Sequence, residues 1–175
     1  IDMDSKMREL INGLTQDIIN LYEIEIPIRN IDDVVARLGG RIEESYNINN
    51  MSDGCISKSD DGFIIRVSPL QGIERRKFTI AHELGHLFLH MGYKINPDLW
   101  EKQENLVYYR AGNSIDEYQA NEFAAAFLMP RDMYKNVMDQ YTTGNIVETG
   151  KVAEFFGVSV SAASNRGKFL GYLQW

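Results

Sequence analysis

Cysteine, positive charge and long apolar runs are all scarce in this chain, and each scarcity excludes something. A single cysteine, Cys55, among 175 residues rules out an internal disulfide and fits a reducing compartment. No apolar run approaches the roughly 20 residues a membrane-crossing helix needs, and the opening IDMDSKMREL is too polar for a signal peptide. A cytoplasmic setting is expected. Lysine and arginine number 18 against 25 acidic residues, a formal net charge of -7 that repels phosphate backbones. Nonspecific nucleic-acid binding is therefore set aside as the main activity. Histidine is scarce too, with three in all, and they fall within nine residues, at 82, 86 and 90.

What is present reads as one domain with room for a small appended unit. The length suffices for a buried core, and the 44% apolar and 25% charged content is that of a soluble globular protein. Apolar residues at Met7, Leu10, Ile11, Leu14, Ile18 and Leu21 give SKMRELINGLTQDIINLY a helical stripe, with Ser5 placed to cap it. IDDVVARLGG reads as a short helix closed by glycine. RIEESYNI, GCISKS and GFIIRVS read as three strands, the last two joined at Asp61-Gly62 as a hairpin. A small antiparallel sheet is expected. IERRKFTIAHELGHLFLHMG is helical, and residues 93–114 read as a long loop with room for one short helix. SIDEYQANEFAAAFLM, with Ser114 at its cap, and PRDMYKNVMDQY are further helices. The tail reads as two short helices around Gly157-Val158-Ser159. Together these define an α+β class.

The chemistry concentrates in KFTIAHELGHLFLH. On a helix His82 and His86 lie about 40° and about 6 Å apart, so their rings can converge on one point. Zinc bonds to imidazole nitrogen at about 2.0–2.1 Å make that point a natural metal position. Glu83 sits about 60° around from His86, within reach of a water there without being a ligand. His90, about 12 Å along the axis from His82, lies too far to share the ion and reads as a helix-end residue at the negative pole. Two imidazoles leave a tetrahedral zinc in need of a third protein donor. SIDEYQANEFAAAFLM offers Glu117, Glu122 and Asp116, in that order of preference. Its small residues Ala120, Ala124 and Ala125 would let two helices pack closely. Asn121, one turn after Glu117, either orients a ligand histidine or bonds to backbone.

KFTIAHELGHLFLH followed by E-x-x-A-N-x-F-A-A-x-x-L-M-P, here Glu117 to Pro130, resembles the ImmA/IrrE-type metallopeptidases, nearly end to end. The resemblance implies a zincin-like, thermolysin-type zinc site of His82, His86 and Glu117, with Glu83 as the catalytic acid-base. It implies a cytoplasmic protein of bacteria or their mobile elements that cleaves a helix-turn-helix repressor. Asn121 stands where a histidine-orienting Asp occurs in the thermolysin-like clan. The expected division is a zincin-like domain over 1–143 and a helical, helix-turn-helix-like unit over 144–175 packed on it. Zinc, a protein substrate, no membrane and no nucleic-acid partner complete the expectation.

Further readings accompany it. Tyr93, Tyr108, Tyr109 and Tyr118 are candidates to stabilise an oxyanion. Asn165, Arg166 and Lys168 of the tail could face DNA, although a net charge of +1 from Gly144 onward is thin for a DNA reader. A zinc-bearing regulator that pairs with a repressor or toxin without cutting it is the third reading. Arg75, Arg76 and Lys77 read as a solvated helix start.

Overall fold

A computed structural model describes residues 3–47, 53–104, 107–108 and 114–175. The side chains of Tyr108, Tyr109 and Ser114, named above, lie outside the described residues. Helix α1 spans Ser5–Leu21 and turns Ile11, Thr15, Ile18 and Ile19 into the core. Its cap is Asp4 rather than Ser5: the Asp4 carboxylate accepts the Met7 N–H at 2.7 Å. Helix α2, Ile31–Leu38, is capped by Asn30 and closed by the left-handed Gly39.

Strands β1 (Gly40–Glu44), β2 (Gly54–Ser59), β3 (Gly62–Val67) and β4 (Val107–Tyr108) form one sheet in the order β1-β3-β2-β4. The hairpin is where the turn residues place it, with Ser59 opposite Gly62. The sheet is mixed, however, not antiparallel throughout, because β1 pairs parallel with β3. Strand β3 buries Phe63, Ile64, Ile65 and Val67 in a nearly continuous apolar run. Such a strand belongs in a sheet interior with a partner on each edge, and β1 supplies the second one. Strand β4 falls in the stretch read as loop, which also holds the short helix α4, Pro97–Glu101.

Helix α3, Ile73–Leu89, packs against the sheet on one side and against α5, Ser114–Leu128, on the other. It is buried along most of its length, with Ile80, Ala81, Leu84 and Leu87 fully enclosed. A stack of Phe88, Phe123 and Phe127, with centroids 5.8 and 5.6 Å apart, continues the contact between the two helices. The approach is closest at Gly85. A methyl group there would meet the Ala120 Cα and O at 3.0 Å and the Phe123 Cβ at 3.1 Å. Backbone cannot yield as a side chain end can. Gly85→Val gains little helix propensity, and its overpacking should cost about 1–3 kcal/mol, read by urea unfolding. A neutral result would mean the helices slide apart freely.

After Pro130 come α6 (Arg131–Gln140), a ribbon of β5 (Thr142–Thr143) with β6 (Ile146–Val147), α7 (Thr149–Phe156) and α8 (Val160–Phe169). Buried polar contacts tie these helices to the rest. The Tyr134 hydroxyl donates to the Ala163 carbonyl at 2.7 Å. The Lys77 ammonium donates to the Phe156 carbonyl at 3.1 Å, at the negative end of α7. Lys77 is thus not part of a solvated helix start. Burial and then the nearby Arg29 pull its pKa down, with Glu74 opposing. Its neighbours are paired as well, Arg76 to Asp32 through two nitrogens at 2.7 and 3.0 Å and Arg75 to Asp53. No described helix is long and apolar enough to cross a membrane.

Candidate metal centre

Helical periodicity places His82 and His86 on one face of α3, and the tight packing at Gly85 brings α5 against that face. Glu117, in the first turn of α5, then reaches both rings. Its Oε1 lies 3.1 Å from the His86 Nε2 and its Oε2 3.3 Å from the His82 Nε2. The two Nε2 atoms are themselves 3.1 Å apart. A tetrahedral centre with bonds of about 2.0–2.1 Å has edges of about 3.3–3.4 Å, close to these separations.

The outer ring nitrogens explain which way the inner ones face. His82 Nδ1 lies 2.8 Å from the Asn121 Oδ1, an acceptor, so Nδ1 carries the hydrogen and Nε2 keeps its lone pair. His90 Nε2 lies 2.9 Å from the Gln119 Oε1, so in neutral His90 the Nδ1 accepts. The His86 Nδ1, 2.9 Å away, donates to it. His86 therefore also turns a bare Nε2 inward. Two lone pairs and a carboxylate facing one another at about 3 Å repel unless a cation lies among them. The donor set of two imidazoles and one carboxylate is one that zinc favours, with a fourth position left over. Among the described residues these three form the group that could hold a metal ion. His82 and His86 are buried while the Glu117 side chain is 31% exposed, so the centre opens toward solvent on the α5 side.

The other candidates go elsewhere. Glu122 is 5% exposed and turned away, bonded to Arg8, Asn12 and Arg166. Asp116 lies 3.6 Å from the His90 Nε2. His90 is the C-cap of α3, but it also braces the His86 ring, a role that spacing on α3 alone did not reveal. Gln119 was missed as well; it stands three residues after Asp116 on the same face of α5, and both reach His90. Tyr93 is buried, with its hydroxyl donating to the Leu38 carbonyl at 2.7 Å, and takes no part. Tyr118 is half exposed beside Glu117. Arg166 is 1% exposed and cannot face DNA.

Glu83 is 1% exposed and lies under the first residue of β2. A methyl group on Gly54 would sit 3.6 Å from the Glu83 Cγ and only 2.7 Å from the Thr79 Cγ2. The strand covers the α3 face next to the histidines, and only glycine lets it come that near. Asn121→Ala should leave the fold intact while weakening metal binding about 10–100-fold, since the His82 ring loses its brace. Competition with a chromophoric chelator would read the change, and unchanged affinity would make Asn121 a bystander.

An α+β fold whose buried His-Glu-x-x-His helix lies against a carboxylate-bearing helix is zincin-like. Residues 47–168 match the IrrE N-terminal-like domain, a peptidase family, and the chain belongs to that family. Among curated proteins no sequence matches. Among solved structures, a Mycobacterium tuberculosis transcriptional regulator superposes with a TM-score of 0.55 at 15% identity. The match covers 90% of this chain and 46% of that one, so the chain spans about half of that regulator's length. At this identity the likeness is one of fold.

Proposed function

We propose that this chain is a zinc-dependent metalloendopeptidase of the cytoplasm that cleaves a helix-turn-helix repressor of a mobile element or stress response. The observation that carries the peptidase reading is the convergence of the His82, His86 and Glu117 donors at about 3 Å with their lone pairs turned inward. The substrate class rests on the family resemblance. When bound, zinc supplies Lewis acidity toward a peptide carbonyl and toward water.

The chain's own residues supply the rest. Asn121 and His90 hold the two imidazoles in the tautomer that presents Nε2. Glu83, adjacent in sequence and enclosed under β2, takes the proton of the attacking water and returns it to the leaving amine. Tyr118, half exposed and next to Glu117 in sequence, is the candidate to donate to the developing oxyanion. The chain divides at about residue 143, and the helical unit that follows supports recognition of the substrate.

The test joins metal analysis to incubation with the repressor encoded beside this gene. One zinc per chain and two repressor fragments that vanish with chelator are expected. Full metal loading with the repressor held intact in a stable complex would favour a non-hydrolytic regulator instead.

A further inference from the structure

The start of β2 covers Glu83, and a set of polar contacts clasps it there. Thr79 stands four residues before Glu83, so the two side chains share one face of α3. The Thr79 hydroxyl donates to the Gln71 Oε1 at 2.7 Å. The Gln71 Nε2 donates to the Asp53 and Ser68 carbonyls, both at 3.1 Å, and the Ser68 N–H reaches the same Asp53 carbonyl at 3.0 Å. The amide can face only one way, since reversing it would set its oxygen against two carbonyls. Gln71, from the loop that joins β3 to α3, thus ties the residue before Gly54 to the helix turn before Glu83. We propose that Gln71 and Thr79 are positioning residues for the reaction, clamping the Asp53-Gly54 backbone over Glu83 and so restricting its rotamers. This rests on the peptidase reading above and adds what holds its acid-base group in place.

The clasp acts on Glu83 through contact with the strand. A methyl group on Gly54 would lie 2.7 Å from the Thr79 Cγ2 and 3.6 Å from the Glu83 Cγ, so the Gly54 backbone rests against both side chains. Both are buried. A glutamate without such a wall spreads over several rotamers. An acid-base group has to stay within about 0.5 Å of its productive position, and a misplacement of about 1 Å can cost about 10²-fold. The Asp53 carboxylate also meets Arg75, but that pair is largely exposed and holds little. The two imidazoles are held from elsewhere, by Asn121 and His90. Loosening the clasp should therefore disturb Glu83 and leave the metal donors alone.

Cys55, half-buried and next to Gly54, reports on the strand without any cleavage. In the zinc-loaded protein, Gln71→Met and Thr79→Val should each speed its reaction with a chromogenic disulfide reagent at least tenfold, with unchanged circular dichroism. Thr79→Ser keeps the hydroxyl and should react at about the parent rate. With the repressor as substrate, Gln71→Met and Thr79→Val should lose at least tenfold in kcat, with KM and zinc content within about twofold. Gly54→Ala should lose as much, and adding Thr79→Ser should restore much of it, because the clashing Cγ2 is gone. A merely structural role would neither separate kcat from KM nor give that rescue. Parent-like thiol rates in both Gln71→Met and Thr79→Val would overturn the clasp, as would Thr79→Ser reacting as fast as Thr79→Val. Fast thiol reaction with kcat unchanged, with KM raised instead, or with zinc lost would overturn the positioning role. A parent protein that never cuts would sink the peptidase reading and that role with it, while the thiol rates still decide the clasp.

Discussion

Glu83→Gln is expected to abolish cleavage while leaving the metal in place. The substitution preserves shape in a site that is 1% exposed, so packing under Gly54 is undisturbed. It removes the one property the proposed role needs, a carboxylate that accepts a proton from water and then donates it. General acid-base groups contribute about 10²–10⁴-fold, so the rate should fall by that amount. Zinc content should not change, because the proposed donors are His82, His86 and Glu117 and both imidazoles keep their braces. Repressor fragments on a gel and metal analysis on the same sample read both halves. Cleavage at the parent rate would refute the assignment of Glu83, and loss of zinc would show that Glu83 supports the donors.

The second large effect concerns stability. Glu122 accepts from Arg8 at 2.6 Å, Asn12 at 2.7 Å and Arg166 at 3.2 Å, joining α1 and α8 to α5. Desolvation pulls the Arg166 pKa down to about 10 with Glu122 opposing, so the guanidinium stays cationic at neutral pH. Glu122→Ala leaves that buried cation without its carboxylate. Breaking a buried pair from one side costs about 3–5 kcal/mol, far more than the about 0–1 kcal/mol of an exposed pair such as Lys135–Asp139. For a chain of this size that is a drop on the order of 10 °C in Tm. Glu122→Leu combined with Arg166→Met should recover part of the loss, because the most deeply buried cation is no longer stranded, while Arg8, 14% exposed, still loses its carboxylate. A loss below about 1 kcal/mol in Glu122→Ala would mean the network does not hold the helices together.

These two glutamates show how far the chain could be read before its fold was known. Glu117 and Glu122 stand five residues apart on one helix, about 140° around its axis. Both looked like donors for a third ligand position. Helix α5 is enclosed on two faces: Ala120 and Phe123 meet α3, while Glu122 meets α1 and α8. Periodicity marks the faces without saying which neighbour each will meet. The same limit applies to Arg166 and Lys77, which read as solvated charges because the carbonyls and carboxylate that bury them come from distant segments.

The shared face of His82 and His86 and the Asp61-Gly62 turn were legible because their geometry is local. A helix fixes the angle between positions four apart, and a tight turn fixes its own pairing. The placement of β1 beside β3, the brace from Gln119 through His90 to His86, and the approach of α5 at Gly85 each depend on segments far apart in sequence. Only packing of the whole chain decides those, since burial and close contact are properties of pairs of surfaces and no single stretch carries both.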